Sequence, residues 1–258
     1  MTTSIIIPAR FGSSRYRGKP LVKILGKEMV IRVADICSKI KNVNVYVATD
    51  SKKIAKVVKK YGYNYIYTSS SCLTGTDRVA EASKKIRSKI FINVQGDEPT
   101  INPSDIKKVI ETKKKFPNHV ICGYDKVHDF ENPASINLPK VVVNSKGELI
   151  YISRALVPGK KKESQKIQYH KQVCIYAFNK NELAIIAAEM EGHPDNVVPA
   201  CLGGMQIVIY DEDELVTASV PISEDISAVL YVPDVPMPTE KSRNLLGEKI
   251  FRQDAVFN

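Results

Sequence analysis

The sequence predicts an α/β fold: a mostly parallel sheet flanked by helices, with a β-rich insertion. Three observations predict it. Short apolar runs alternate with segments of helical spacing through residues 1–118. Between about 119 and 178 the apolar runs follow one another without helices. The first apolar run also ends in a segment dense in Gly, Ser, Arg and Lys, as in α/β sheets that receive an anion at their carboxyl edge.

Ile5-Ile6-Ile7 reads as a buried strand that stops at Pro8. Val43 to Thr49 is a β-branched run ending in Asp50-Ser51, which reads as a helix N-cap. Lys52 to Tyr61 follows with helical spacing at Ile54, Val57 and Val58, and stops at Gly62. Tyr63 to Tyr67 is a short strand, Thr76 to Arg87 a helix, and Lys89 to Val94 a strand. Asn102-Pro103-Ser104 opens a helix through about Phe116. Strands alternating with helices of this length argue for βαβ units.

The rhythm then changes. Val120 to Tyr124, Lys140 to Asn144 and Glu148 to Ser153 read as strands, the last two joined by a hairpin turn at Asn144-Ser145-Lys146-Gly147. Lys160-Lys161-Lys162 falls in a polar stretch expected to be a mobile loop. Tyr169 to Phe178 reads as a strand, Asn181 to Met190 as a helix, and Met205 to Tyr210 as a strand. The tail, with Pro221, Pro233, Pro236 and Pro238, is expected to be largely irregular. The chain is expected to form one domain, 1–258. Its nucleotide-binding half is 1–118, the insertion about 119–178, and the C-terminal part about 193–258.

The 258 residues carry a net charge of +10 and no apolar run of membrane-spanning length. The start lacks a charged-then-apolar leader, so no secretion signal is expected. Five scattered cysteines (Cys37, Cys72, Cys122, Cys174, Cys201) show no metal or redox spacing, and a reducing cytoplasm is expected. Much of the charge excess is Lys at helical spacing, without the interleaved aromatics of a nucleic-acid stripe. Neither nucleic acid nor membrane is therefore expected as a partner.

Site chemistry concentrates in a few places. After Pro8 come Arg10, Arg15, Arg17 and Lys19 among Gly12, Ser13, Ser14 and Gly18. Small residues let backbone N–H groups approach an anion while the cations neutralise it. The pattern is neither the dinucleotide fingerprint nor the Walker loop. The competing reading is a solvated basic loop. Asp97, in Val94-Gln95-Gly96-Asp97-Glu98-Pro99, lies just past a strand. It is the first candidate to hold the Mg²⁺ of a nucleoside triphosphate, with Glu98 as the alternate and a turn Asp as the competing reading. Gly75-Thr76-Asp77-Arg78 supplies a second glycine-opened turn with a cation, although Thr-Asp is also an ordinary helix start. Arg154 follows a predicted strand and suits a carboxylate partner bidentately, unless it is a surface Arg. The four His and the cysteines show no base–nucleophile pairing.

Taken together, these segments resemble the CMP-sugar-acid synthetases. The resemblance is carried in order by Ile7-Pro8-Ala9-Arg10 through Gly18-Lys19-Pro20-Leu21, Val47-Ala48-Thr49-Asp50, Gly75-Thr76-Asp77-Arg78, Val94-Gln95-Gly96-Asp97-Glu98-Pro99, Tyr151-Ile152-Ser153-Arg154-Ala155-Leu156-Val157-Pro158 and Ile175-Tyr176-Ala177-Phe178. It covers roughly residues 3 to 190. It implies a nucleotide-diphospho-sugar-transferase-like, Rossmann-like fold and a homodimer formed through the insertion. The implied reaction is Mg²⁺-dependent transfer of CMP from CTP to a 3-deoxy-octulosonate-like sugar acid, within lipopolysaccharide or capsule synthesis.

Position by position, the resemblance places Arg10 and Lys19 on the triphosphate, with Ser13 and Arg15 supporting the loop. It places Gly75, Arg78 and Gln95 at the nucleotide, Asp97 on Mg²⁺, and Arg154, Gln172 and Tyr176 at the sugar acid. The chain departs from the family pattern at Cys72, where a His is common, and at Lys171-Gln172, where an Arg-His pair is common. The nearest stretch to the family's Val-Asp-Thr-Pro-Glu-Asp-like segment is Val220-Pro221-Ile222-Ser223-Glu224-Asp225, with Pro221 at the position of the second metal ligand. Asp211, Glu212 and Asp213 are the nearby carboxylates. A different acidic acceptor and a catalytically impaired CTP-binding homologue are the alternatives.

Overall fold

The computed structural model describes residues 2–12, 16–162, 166–191, 205–211 and 214–221. Its elements begin with β1 (Thr3–Pro8), a 3-10 turn (Lys19–Leu21), β2 (Lys23–Ile24), β3 (Lys27–Glu28), α1 (Met29–Ser38), β4 (Val43–Thr49), α2 (Lys52–Lys60) and β5 (Asn64–Tyr67). There follow α3 (Gly75–Ser83), β6 (Ile90–Val94), α4 (Pro103–Lys115), β7 (Ile121–Lys126), β8 (Lys140–Val143) and β9 (Leu149–Ser153). The last are β10 (His170–Asn179), α5 (Lys180–Glu191), β11 (Met205–Asp211) and β12 (Glu214–Val220).

One eight-stranded sheet organises residues 1–220, in the order β5-β4-β1-β6-β10-β8-β9 with β7 also on β10. The pairs β5–β4, β4–β1 and β1–β6 are parallel, and the strands from β10 outward are antiparallel. The insertion therefore extends the same sheet through β10. The chain divides after Val220, and of residues 221–258 only Pro221 is described.

Ile5, Ile6 and Ile7 are fully buried because β1 has strands on both edges and helices over both faces. Ile5 and Ile7 join Ile92, Val94, Ile175 and the apolar sides of α1, α2 and α4. Ile6, Phe91 and Phe178 face the other way, against α3 and α5. Full burial of each such side chain contributes about 1.5–3 kcal/mol. The chain leaves β1 for β4 and β5 on one side, then returns to β6 on the other. The carboxyl end of β1 thus stands at the sheet's topological switch point, where α/β sheets receive ligands.

Three expectations are corrected. α1 and the β2–β3 hairpin lie where no element was expected, in a stretch with few turn signals ahead of Met29. Met205–Asp211 forms a strand as expected but pairs with an unexpected β12, from Met205↔Val220 to Asp211↔Glu214, while the Pro-rich tail beyond Pro221 lies outside the described residues. Asp50-Ser51 does not cap α2 through a side chain: Ser51 holds the N-cap without such a bond, and Asp50 turns elsewhere. The turn at Asn144–Gly147 forms as expected, with Gly147 at φ 80° and its N–H donating to the Asn144 carbonyl at 3.0 Å. Lys160, Lys161 and Lys162 are exposed and outside any helix or strand.

One buried cation ties α4 to α5. Lys113 is fully buried, and its ammonium donates to both Glu182 carboxylate oxygens (2.8 and 2.7 Å) and to the His119 carbonyl (2.7 Å). Removing one partner of such a pair leaves the other charge uncompensated. Lys113→Ala is expected to lower unfolding free energy by about 3–5 kcal/mol, measured by urea denaturation.

Candidate functional site at the carboxyl edge of the sheet

The site grows from the end of β1. The Ala9 N–H donates to the Ala48 carbonyl (2.8 Å), which keeps the chain beside β4 for one more residue. Arg10 then turns outward, exposed, and its Nη1 donates to the Leu73 carbonyl ahead of α3 (3.4 Å). Further on, the Gly18 N–H closes back onto the Phe11 carbonyl (2.8 Å). Gly18 has φ 77° and a Cβ there would lie 3.2 Å from the Phe11 ring, so both backbone and space call for glycine. The 3-10 turn places Lys19 toward β6, where its Nζ donates to Asp97 Oδ2 at 2.6 Å. Both side chains are about half exposed, as a site open to a ligand requires.

Asp97 reaches that place because the chain passes close over β1. A Cβ on Gly96 would lie 2.8 Å from the Pro8 carbonyl oxygen, so only glycine lets the two strand ends meet. α3 is seated from the other side. A Cβ on Gly75 would come within 3.0–3.3 Å of the Gln95 amide and the Pro8 ring. Thr74 caps the helix reciprocally with Asp77. Gln95 Nε2 donates to Asn93 Oδ1 (3.2 Å), and Asn93 Nδ2 donates to Thr76 Oγ1 (3.4 Å). Arg10, Lys19, Gly75, Gln95 and Asp97 therefore converge on one edge.

Arg78 has a different position. It is 2% exposed, and its guanidinium donates to Thr68 Oγ1 (2.5 Å), the Ser69 carbonyl (3.2 Å) and Asp50 Oδ2 (3.1 Å). It acts from beneath the edge rather than on its surface. Cys72, at the position where the family commonly has His, donates its thiol to Glu81 Oε2 (3.0 Å). Burial, then the Glu81 carboxylate, push that thiol up to about 12, so it stays protonated and unreactive near neutrality.

The sugar-side candidates lie on the insertion. β10 runs antiparallel to β6 with Ile175↔Val94, so its residues 170–174 continue past the end of β6. Gln172 Nε2 donates to the Tyr176 hydroxyl (2.7 Å), and Tyr176 sits opposite both Asn93 and Cys122. Burial raises the Tyr176 phenol well above its ordinary value. Burial, then Glu98 and Asp97, raise the Cys174 thiol, which places this strand within the field of the Asp97 edge. Lys171 is held by Glu131 (2.6 and 2.7 Å). Arg154, just past β9, is exposed, and its Nη1 donates to the Ile136 carbonyl (2.7 Å). Among the described residues no contact joins Arg154 to the Arg10–Lys19–Asp97 group.

Ser13, Arg15, Glu212 and Asp213 lie outside the described residues, while Pro221 is exposed after β12. Sequence reasoning missed the part played by Asp50, Asn93 and Thr76. The signal for Asp50 was its place one residue past a buried parallel strand, where carboxylates serve sites as well as caps. A cavity of about 1120 Å³ between α4 and β7–β9 contains none of Arg10, Lys19, Gln95 or Asp97, so it is separate from this edge. No described helix is long and apolar enough to cross a membrane.

A cation-rich segment and a carboxylate meeting at the switch point of a parallel sheet define an α/β nucleotide-binding protein. Comparison with known proteins gives the same result. A cytidylyltransferase family model matches residues 4–192. The chain is 31% identical over 251 residues to a 3-deoxy-manno-octulosonate cytidylyltransferase of Escherichia coli, covering 95% of this chain and 96% of that protein. It is 40% identical over 184 residues to the Rickettsia felis protein of the same name, covering 70% and 72%. A solved structure of a CMP:2-keto-3-deoxy-manno-octonic acid synthetase complexed with CTP superposes with TM-score 0.67 at 33% identity, covering 76% of this chain and 81% of that one. The chain belongs to the cytidylyltransferase family.

Glu98 adds a pH dependence. Burial, then repulsion from Asp97, raise its carboxyl above 4.5, partly offset by Lys19. The folded chain thus holds this proton more tightly than the unfolded chain. The contribution is full below the ordinary value and falls as pH rises through the folded one. Glu98→Gln is expected to gain thermal stability relative to the parent as pH is raised from 4 to 7. Parallel melting curves across that range check it.

Proposed function

We propose that this chain activates 3-deoxy-manno-octulosonate by transferring CMP from CTP, with release of pyrophosphate. The observation that carries this reading is the Lys19–Asp97 pair at 2.6 Å, with Arg10 on the same edge at the end of β1. The names of the E. coli and R. felis relatives and the CTP complex of the similar structure supply the nucleotide and the acceptor.

In this reading the anomeric hydroxyl oxygen attacks the α-phosphorus in line. The new O–P bond forms as the bond to the pyrophosphate oxygen breaks, and the hydroxyl proton leaves to solvent. Little covalent work falls to the protein. Arg10 and Lys19 hold the triphosphate and offset charge on the leaving oxygens. Gln95 and the backbone at Gly75 border the nucleotide, and Arg78 supports them from below. Arg154 offers a planar guanidinium to the acceptor carboxylate, while Gln172 and Tyr176 present a paired amide and hydroxyl to its alcohols.

The reaction class calls for Mg²⁺, and the donors at this edge fit it. Asp97 and Glu98 are hard oxygen donors, adjacent and mutually repelling, and Mg²⁺ takes one or two carboxylates plus phosphate oxygens. No described cluster of three or more His, Cys, Asp or Glu competes for it. Asp97 would hold the ion, which supplies charge neutralisation at the phosphates when bound.

We also read the insertion as a homodimer surface. Leu149, Ile150 and Tyr151 on edge strand β9 are 50%, 63% and 57% exposed, an apolar row that an isolated chain rarely leaves uncovered. The four described cysteines are free thiols, which supports a reducing cytoplasm.

Pyrophosphate release with CTP, Mg²⁺ and 3-deoxy-manno-octulosonate is the test, with UTP as the nucleotide control. CTP-specific release is expected, and Asp97→Asn should lower it by about 100-fold or more while the fold survives. Release with another acidic sugar alone would move the acceptor, and CTP binding without release would identify an impaired homologue. Sedimentation should give twice the chain mass, shifting toward monomer when Ile150 and Tyr151 are both replaced by Lys.

A further inference from the structure

Arg10 and Lys19 are nine positions apart in sequence, yet the site needs both at once. Their spacing is set at one backbone closure, the Gly18 N–H onto the Phe11 carbonyl (2.8 Å). Phe11 is held from several directions. The Arg17 guanidinium lies over its ring at 5.7 Å and the Lys53 ammonium at 5.2 Å. Its N–H donates to Asp50 Oδ1 at 3.4 Å. The other oxygen of the same carboxylate, Oδ2, accepts from Arg78 Nη2 at 3.1 Å. Arg78 in turn is locked by Thr68 and by the Ser69 carbonyl, with only 2% of its side chain exposed.

Asp50 itself is 17% exposed and projects from the end of β4, next to the end of β1. Its two oxygens link a cation that cannot move to the amide where the cationic segment closes. A carboxylate held by a buried guanidinium is a rigid acceptor, because the charge-assisted bond fixes its plane.

We propose that Asp50 is a positioning residue for the triphosphate. It fixes the Phe11 amide against buried Arg78, so that Arg10 before the closure and Lys19 after it are presented together. Asp50 touches no reacting atom in this role. Its loss loosens the spacing of two cations that meet only the nucleotide, so the effect falls on CTP and spares the acceptor. The proposal rests on the reading of Arg10 and Lys19 as triphosphate ligands.

Steady-state kinetics on the full chain test it, with CTP and acceptor varied separately. Asp50→Ala is expected to raise KM for CTP by about tenfold, with KM for the acceptor changed less than about twofold. Asp50→Asn keeps one acceptor oxygen, but its NH2 cannot accept from Arg78, so the link is broken and KM for CTP is expected to rise as in Asp50→Ala. A proportional rise in both KM values, or no rise for CTP, would overturn the proposal. So would an Asp50→Asn variant with the parental KM for CTP. Should Asp50→Ala be recovered unfolded, Asp50→Glu decides: a CTP-only rise supports the strut, and a parental KM for CTP overturns it. Arg10→Ala in the same assay separates the two readings. If it leaves KM for CTP unchanged, the triphosphate assignment fails and the strut with it. If it raises KM for CTP while the Asp50 variants do not, the strut alone is wrong.

Discussion

The burial of β1 at the centre of the sheet is the constraint on which the rest of this protein depends. Ile5, Ile6 and Ile7 have no solvent exposure, and β1 is bonded on both edges. A strand held on every side ends at a fixed point, and that point is the switch point of the sheet. The Pro8 carbonyl packs under Gly96 and the Pro8 ring under Gly75. One strand end thus locates both the segment bearing Asp97 and the start of α3. Pro8 has no N–H to place in the ladder, which suits the last residue of a strand.

Around this end the protein places charge in two tiers. The lower tier centres on buried Arg78, which holds Asp50, Thr68 and the Ser69 carbonyl. The upper tier is open: Arg10, and Lys19 with Asp97 at about half exposure. The lower pair is worth little as net stability, because desolvation offsets its Coulomb attraction, but it gives the edge a fixed geometry. The upper pair is screened and easily exchanged. On the proposed function, a ligand that brings its own anions and a cation would replace it, Lys19 turning to phosphate and Asp97 to metal. That division, rigid below and exchangeable above, suits a site that must bind and release a polyanion at every turnover.

The insertion extends the main sheet rather than forming a sheet of its own. β10 bonds to β6 and carries Gln172 and Cys174 beyond the end of that strand, with Tyr176 opposite Asn93 near the end of their pairing. The antiparallel strands β7, β8 and β9 hang from β10 and β8 and end in an exposed apolar row. On the proposed function, a change in acceptor preference could arise on β10 without disturbing the parallel half.

Much of this was legible in the sequence, and the reason is local. Ile5-Ile6-Ile7, Val43–Thr49 and Ile90–Val94 show their burial as unbroken apolar or β-branched runs, so strands and their alternation with helices followed directly. Arg10, Lys19 and Asp97 were legible because each lies within a dozen residues of such a run. Only tertiary structure decided what required two distant segments at once. Asp50 looks like a helix cap until Arg78, 28 residues away, takes its carboxylate. β12 has no strong pattern of its own and forms against β11. Strand order, and with it the meeting of Lys19 with Asp97 across 78 residues, is set by pairing and core packing. Those are properties of surfaces in contact, which no single stretch of sequence contains.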